Sequence, residues 1–203
     1  MNFSSLVTIL YVDGNMATNY YTLNNMEYIG RFSLGTKVMV SDPCYGINTL
    51  CQGVLKNIRA GFWDAYIKMC DESTWGNRVA ELIAISLDYN DEYEGINCSE
   101  INEPQSFKVG VDSGTAGIFD YDYYCKYHNE SNANDEWYNK QICEQFSPSD
   151  DSNDLEQSIF TEFNGVVSKT RNGGYDCFIA RNDEGEIIGI KIVYINDLVI
   201  EQQ

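Results

Sequence analysis

The chain has 203 residues, enough for one domain with a substantial core, and its 43% of apolar residues argues against disorder. Its net charge of −18 disfavours direct binding to nucleic acid, because phosphate contacts depend on clustered Lys and Arg. No apolar run approaches the roughly 20 residues that span a bilayer, and no export signal is visible. We therefore expect one domain over 1–203, in the cytoplasm and not in a membrane.

The first third of the chain predicts strands. Residues 6–12 form a short apolar run, and residues 27–40 look extended with breaks at Gly30 and Gly35. Residues 51–58 and 62–70 are two further runs whose short separation at 59–61 predicts a hairpin. In the second of these runs apolar and polar side chains alternate from residue 64 to residue 69, the period-2 pattern of a half-buried strand.

The middle of the chain is harder to interpret. Residues 77–87 fit either a helix or a strand, and residues 107–111 predict a short strand. Residues 134–146 give the best helical pattern, with Asn134 or Asp135 as the N-cap. One short helix is therefore expected there.

The last third predicts strands again. Residues 165–168 precede a turn at 173–174, and residues 175–180 are joined to 186–195 by an Asp-Glu-Gly turn typical of a hairpin. Both faces of 187–194 are fairly apolar, which indicates a central strand. The expected fold class is mainly β, with α+β as the alternative, built from antiparallel sheets in a single domain.

The supply of reactive residues is small. Seven cysteines without a CxxC pair favour free thiols over disulfides or a zinc site, and a single histidine excludes hydrolases that need several His ligands. That histidine, His128, stands among polar residues and is interpreted as an exposed loop residue. Asp120 and Asp122, or the acids of 149–154, are better interpreted as solvated loop residues than as cation ligands. We expect no metal, no cofactor and no catalytic residue.

Three turn segments are more particular than a generic fold requires, at 41–45, 75–80 and 109–120. Their Asp and Gly residues fit Asx-turns and positive-φ positions, with Arg78 paired to a buried Asp. They also fit a shared binding pocket with the following candidate residues: Asp42, Cys44, Tyr45, Trp75, Arg78, Asp112, Ser113 and Asp120. Both interpretations stay open at this point.

The negative charge is concentrated in one region. Residues 88–162 hold 18 of the 31 acidic residues and only three basic ones. Acidic loops that maintain solubility are one explanation. The other is an acidic face that imitates a nucleic-acid backbone and binds a basic protein surface, formed by Asp88, Asp91, Glu92, Glu94, Asp150, Asp151, Asp154 and Glu156.

The order of the motifs resembles that of a family of uncharacterised proteins from bacteria and their phages. The matching segments are SDPCY at 41–45, WGNRVAEL at 75–82, VDSGTAGIFD at 111–120 and the GVVS and GGY segments at 165–168 and 173–175. The resemblance covers about 35–195 and leaves the acidic stretch less well matched. It implies a β-rich domain whose last motif is a hairpin, and a phage or mobile-element setting in a bacterial host cell.

Together these features favour a non-enzymatic, phage-associated protein that inhibits or decoys a basic, nucleic-acid-handling host protein, such as a defence or CRISPR enzyme. A small-molecule-binding or hydrolytic domain, with its pocket at the three turns, is the first alternative. A structural or assembly component is the second. The sequence does not fix the oligomeric state.

Overall fold

The computed structural model describes residues 26–71, 76–87, 100–129, 142, 158–160 and 164–195. The expected strand at 6–12 and all of the expected helix at 134–146 except Ile142 lie outside these ranges. The described strands and helix are β1 (Met26–Leu34), β2 (Lys37–Ser41), β3 (Gly53–Lys56), β4 (Gly61–Asp71), β5 (Asn77–Ser86), β6 (Glu103–Val111), β7 (Thr115–Asp120), α1 (Tyr121–Asn129), β8 (Ser158–Phe160), β9 (Gly165–Lys169), β10 (Gly173–Arg181) and β11 (Ile187–Val193).

The strands form two antiparallel sheets. Six of them pair in the order β1-β4-β5-β11-β10-β6, and five pair in the order β3-β2-β7-β9-β8. The mainly β, antiparallel fold class is confirmed. The ambiguous stretch 77–87 is a strand, β5, which pairs with β4 on one side and β11 on the other.

The largest hydrophobic cluster draws on strands of both sheets, and we call the described residues together the sandwich. On β4 the side chains of Trp63, Ala65 and Ile67 are fully buried in it, while Asp64 on the opposite face pairs with Arg31. The predicted alternation along this strand is confirmed. In the five-stranded sheet, Val40 and Ile118 belong to the same cluster.

Strand β11 lies between β5 and β10, so its predicted central position is confirmed. Ile190 and Ile192 belong to the main core, whereas Ile188 packs in a separate cluster with Ile83 and Ile101. The pairing register between β10 and β11 shifts at Ile188. Ala180 pairs with Gly189, whereas the next residue, Arg181, pairs with Ile187. A β-bulge of this kind lets side chains that are two residues apart point to opposite faces.

Two predicted hairpins are wrong. Strand β3 pairs with β2 in one sheet, while β4 pairs with β1 and β5 in the other, so residues 57–60 cross between the sheets. The crossing is fixed by Ile58, which is buried and bridges to Ile187, and by the Trp63 indole, which donates to the Arg59 carbonyl at 3.0 Å.

Strands β9 and β10 also belong to different sheets, so the GVVS and GGY segments form no hairpin. Only the hairpin from β10 to β11 is confirmed, with Gly185 at φ 80° in its turn.

The edges of the two sheets approach each other on both sides. Gly110 at one edge of the larger sheet donates its N–H to the Cys51 carbonyl at 2.9 Å, next to β3. At the other edge the Ser33 hydroxyl donates to the Asn164 side chain at 2.8 Å.

Helix α1 was not expected from the sequence. Asp120 is its N-cap, because its Oδ1 accepts the N–H groups of Asp122 and Tyr123 at 3.0 and 3.1 Å. Tyr124 packs from the helix onto Met39 and Phe119, in a cluster separate from the main core. At nine residues, this helix is too short to cross a membrane, and the described ranges contain no other candidate.

Candidate functional site

Five of the eight pocket candidates come together where β2 ends and β6 turns into β7. They are Asp42, Cys44, Tyr45, Asp112 and Ser113, and we call them the Asp42 cluster. Of the remaining three, Arg78 and Asp120 lie elsewhere in the described structure. Trp75 lies outside the described residues, Arg78 is on β5 with β11 and β10 between it and β6, and Asp120 caps α1 at the far end of β7.

The Asp42 carboxylate is fully buried and accepts four hydrogen bonds. Oδ1 accepts the Cys44 N–H at 2.9 Å and the Ser113 hydroxyl at 2.7 Å. Oδ2 accepts the N–H groups of Asp112 and Ser113, both at 2.8 Å. A carboxylate has about four lone-pair sites, so these bonds leave it no capacity for a ligand. Asp42 therefore links the turn after β2 to the turn after β6, and we call this set of four hydrogen bonds the Asp42 brace.

Tyr45 adds a second link between the same turns. Its hydroxyl donates to Asp112 Oδ2 at 2.7 Å, and its N–H donates to the Asp42 carbonyl at 3.2 Å. Loss of hydration raises the pKa of the Tyr45 phenol, and the bond to Asp112 raises it further. The phenol therefore stays protonated and continues to donate.

The Asp42 cluster offers no activated nucleophile. Burial raises the pKa of the Cys44 thiol to about 12, with a further contribution from the adjacent Asp42 carboxylate, so the reactive thiolate is scarce near neutral pH. The Ser113 hydroxyl donates to Asp42 and shares a 2.7 Å hydrogen bond with Thr115, with no histidine in either bond. Hydrolysis through a serine or cysteine normally needs such a base, so the geometry does not favour the hydrolytic alternative.

The cluster supports the long connection from β2 to β3, residues 42–52, which we call the Leu50 loop. The Gln52 side chain accepts the Thr49 N–H at 3.1 Å and donates to the Ser41 hydroxyl at 2.9 Å. From α1, the Tyr124 hydroxyl donates to the Tyr45 carbonyl at 2.5 Å. The loop is thus held from β2, from α1 and from β6, where Gly110 donates to Cys51.

Leu50 at the tip of this loop was not identified from the sequence. Its side chain is 87% exposed, and the residues on either side of the Thr49–Leu50 pair, Asn48 and Cys51, have φ values of 66° and 71°. Non-glycine residues are uncommon in this left-handed region. The available signal was charge, because residues 43–55 contain no Asp, Glu, Lys or Arg in a chain of net charge −18.

All eight residues of the predicted acidic face lie outside the described residues. The described ranges hold 14 acidic and 12 basic residues, whereas the rest of the chain holds 17 acidic residues and one lysine. The charge excess therefore belongs almost entirely to the segments outside the described sandwich.

Within the described ranges, no group of three or more His, Cys, Asp or Glu side chains could hold a metal ion. The interpretation of Asp120 and Asp122 as solvated loop residues is wrong, because Asp120 is buried at the end of β7 and Asp122 lies in the first turn of α1. The Asp120 carboxylate makes hydrogen bonds within the fold. One oxygen caps α1 and the other accepts the Gly35 N–H at 2.8 Å.

His128 is not an exposed loop residue as the sequence suggested. It lies in the last turn of α1, partly buried, with its ring 4.2 Å from the ring of Tyr124. Polar neighbours in the sequence misled the interpretation, because helical spacing places residues 124 and 128 on one face.

His128 should make stability depend on pH. Burial lowers the pKa of His128 from 6.5 to about 4 in the folded chain. The contribution of the neutral, buried imidazole to the free energy of unfolding is therefore complete above pH 6.5 and is lost as the pH falls toward 4. We expect wild type to lose about 1 kcal/mol more than His128→Gln between pH 7 and pH 5, allowing for partial solvent access. Urea unfolding of both proteins at the two pH values measures this, and an equal loss in both would contradict it.

Comparison of the chain with protein-family profiles, with curated proteins and with solved structures gives no significant match.

Proposed function

We propose that this is a non-enzymatic interaction protein that binds a basic, nucleic-acid-handling protein of a bacterial host through its acid-rich segments. The observation that supports this proposal is the unequal distribution of charge along the chain. The described sandwich is almost balanced, with 14 acidic and 12 basic residues, while 17 acids and a single lysine fall elsewhere. Acids needed only for solubility could be spread over any exposed position, and their concentration favours a dedicated binding region.

A basic groove that normally holds nucleic acid is the natural complement of such a region. Long-range attraction between opposite charges speeds encounter and selects the partner, and it weakens with added salt. Inhibition then follows from occupancy, because nucleic acid and the acidic protein compete for one surface. The phage setting, and a defence or CRISPR enzyme as the target, rest on the motif resemblance at 41–45, 75–82 and 111–120.

The alternative of a catalytic or small-molecule pocket at the turns has weaker support. The Asp42 carboxylate is saturated by internal hydrogen bonds, and the Cys44 thiol stays protonated. Both observations fit a structural support better than a reactive or ligand-binding centre.

Three charge variants of equal size test the proposal. The first neutralises Asp88, Asp91, Glu92 and Glu94, and the second neutralises Asp150, Asp151, Asp154 and Glu156, each to the matching amide. The control neutralises four exposed acids of the sandwich: Glu27, Asp71, Asp183 and Glu184. Each is used as bait in nuclease-treated bacterial lysate at low and high ionic strength. We expect wild type and the control to retain one basic, nucleic-acid-binding protein at low salt only, and at least one of the first two variants to lose it.

Added duplex DNA should displace the retained protein from wild type, because the two would share a binding surface. Retention that is indifferent to salt and DNA, or equal for all three variants, would rule the proposal out.

A further inference from the structure

The face of the larger sheet that is turned away from the main core carries aromatic side chains on its edge strand β1 and on the neighbouring β4. Tyr28 on β1 pairs with Tyr66 on β4, and their ring centroids are 5.6 Å apart. Phe62 at the start of β4 lies on the same face as Tyr66, because alternate side chains of a strand share a face. We call Tyr28, Arg31, Phe62, Asp64 and Tyr66 the aromatic strip.

Two rings of the aromatic strip are open to solvent. Phe62 is 64% exposed and Tyr28 is 55% exposed. Among the aromatic side chains of the described ranges, the next most exposed is Tyr123 on α1, at 37%. A single exposed ring is ordinary on a protein surface. Two on one face of one strand pair form a patch, and such patches mark binding sites.

An ion pair lies between the two ends of the strip. Arg31 Nε and Nη2 donate to the Asp64 carboxylate at 2.8 and 3.2 Å. Along the paired strands, these two residues stand between the Tyr28–Tyr66 pair and Phe62. Asp64 is buried, whereas the Arg31 side chain is 52% exposed. Two of the five guanidinium N–H groups bond to Asp64, so Arg31 is held in place and can donate further N–H groups to a ligand.

The order of groups along the strip distinguishes between classes of ligand. A protein interface has an apolar centre and a polar rim, whereas in the strip a charged pair is central and the rings are at the ends. Nucleic acid needs a surplus of positive charge, and Asp64 neutralises Arg31. A neutral sugar fits, because a pyranose ring has an apolar C–H face that packs on an aromatic ring and hydroxyl groups at its edge that accept hydrogen bonds.

We propose that the aromatic strip is a binding site for a neutral oligosaccharide, with sugar rings stacked on Tyr28 and Phe62 and an intervening hydroxyl group bonded to Arg31. Phe62 and Tyr66 are four residues apart on β4, which is about 13 Å along the strand. This distance exceeds the length of one sugar ring, so the ligand is a chain of several sugars. The site is independent of the proposed function, because its five residues all lie in the sandwich and none belongs to the acid-rich segments.

Affinity electrophoresis of the full chain tests the proposal. Each native gel contains one polysaccharide: hydroxyethylcellulose, arabinoxylan, laminarin, galactomannan or, as the anionic comparison, polygalacturonate. We expect at least one neutral polysaccharide to retard the wild-type chain. Titration calorimetry with the matching hexasaccharide should then give the same dissociation constant at low and high salt, because the ligand carries no charge. Retardation by none of the neutral polysaccharides, or by polygalacturonate alone, would overturn the proposal.

Substitutions in the strip distinguish stacking from general hydrophobic contact. We expect Tyr28→Ala and Phe62→Leu each to weaken hexasaccharide binding about 3- to 10-fold, and Phe62→Tyr, which keeps a ring, to stay within about twofold of wild type. Tyr123→Ala removes the exposed ring on α1 and is the matched control, which should bind like wild type. Because all these side chains are exposed, the variants should unfold at the wild-type temperature.

Two results would contradict this role of the rings. If Phe62→Leu binds as tightly as wild type, an apolar side chain suffices and stacking is not the interaction. If Tyr123→Ala loses as much affinity as Tyr28→Ala, the ligand is not held on the aromatic strip.

Discussion

Asp42→Ala is expected to lower the free energy of unfolding by about 3–5 kcal/mol, a large effect for one substitution. The change removes the acceptor of four hydrogen bonds, two of them at 2.8 Å from the N–H groups of Asp112 and Ser113. Those partly buried donors would lose their acceptor, and a cavity would replace the fully buried carboxylate, which costs more than a lost surface bond. Urea unfolding followed by circular dichroism gives the change directly.

Two further variants distinguish the contribution of the Asp42 carboxylate from that of the neighbouring hydrogen bond between Tyr45 and Asp112. Asp42→Asn keeps the shape but places an amide N–H₂ against N–H donors, so it should cost nearly as much as Asp42→Ala. Asp112→Asn alters only the exposed bond from the Tyr45 hydroxyl and should cost less than about 1 kcal/mol. A cost for Asp42→Ala no greater than that of Asp112→Asn would show that the carboxylate is not a brace.

Gly53→Ala is expected to destabilise the fold by about 3 kcal/mol through overpacking. A Cβ at residue 53 would lie only 1.8 Å from the Phe107 ring, where β3 meets β6. Neither strand can retreat easily, because β3 is paired with β2 and the neighbouring Gly110 is bonded to Cys51. Thermal or urea unfolding measures the loss.

Removal of the Phe107 ring tests whether overpacking is the cause of the loss in stability. Phe107→Ala makes room for the new methyl group, so the double variant should lose less stability than the sum of the two single changes. Gly174→Ala is the matched control, since a Cβ there meets no atom within 4 Å. Additive losses, or an equal loss at Gly174, would mean that the contact with Phe107 is not the cause.

The strands that the sequence identified well are those whose pattern is local. Alternation along 64–69 and the apolar faces of 187–194 reflect burial of each strand by itself, and both were confirmed. The pairing of strands depends on distant residues. Ile58 bridges to Ile187, and no nearby signal distinguishes this sheet crossing from a hairpin turn at 59–61.

The site was predicted only in part, for a similar reason. Asp42, Tyr45 and Asp112 come together because turn-forming residues gather at strand ends, which the sequence pattern reveals. The same pattern does not reveal that the Asp42 carboxylate is saturated, since its donors arrive from residues 112 and 113. His128 was misplaced because its burial depends on a helix that lacked a clear sequence signal, and Leu50 was missed because exposure is a property of the folded loop.

The Asp42 brace also bears on how the chain folds. It joins residues 70 positions apart, and the bridge from Ile58 to Ile187 spans an even longer stretch. Contacts between distant residues form slowly, since the entropy of closing a long loop is lost before the contact can stabilise the chain. The turn after β2 therefore takes its final shape only when β6 has arrived, late in folding. A nascent or partly folded chain therefore does not hold Leu50 and the rest of the loop 42–52 in their native positions, and this loop becomes ordered only in the completed fold.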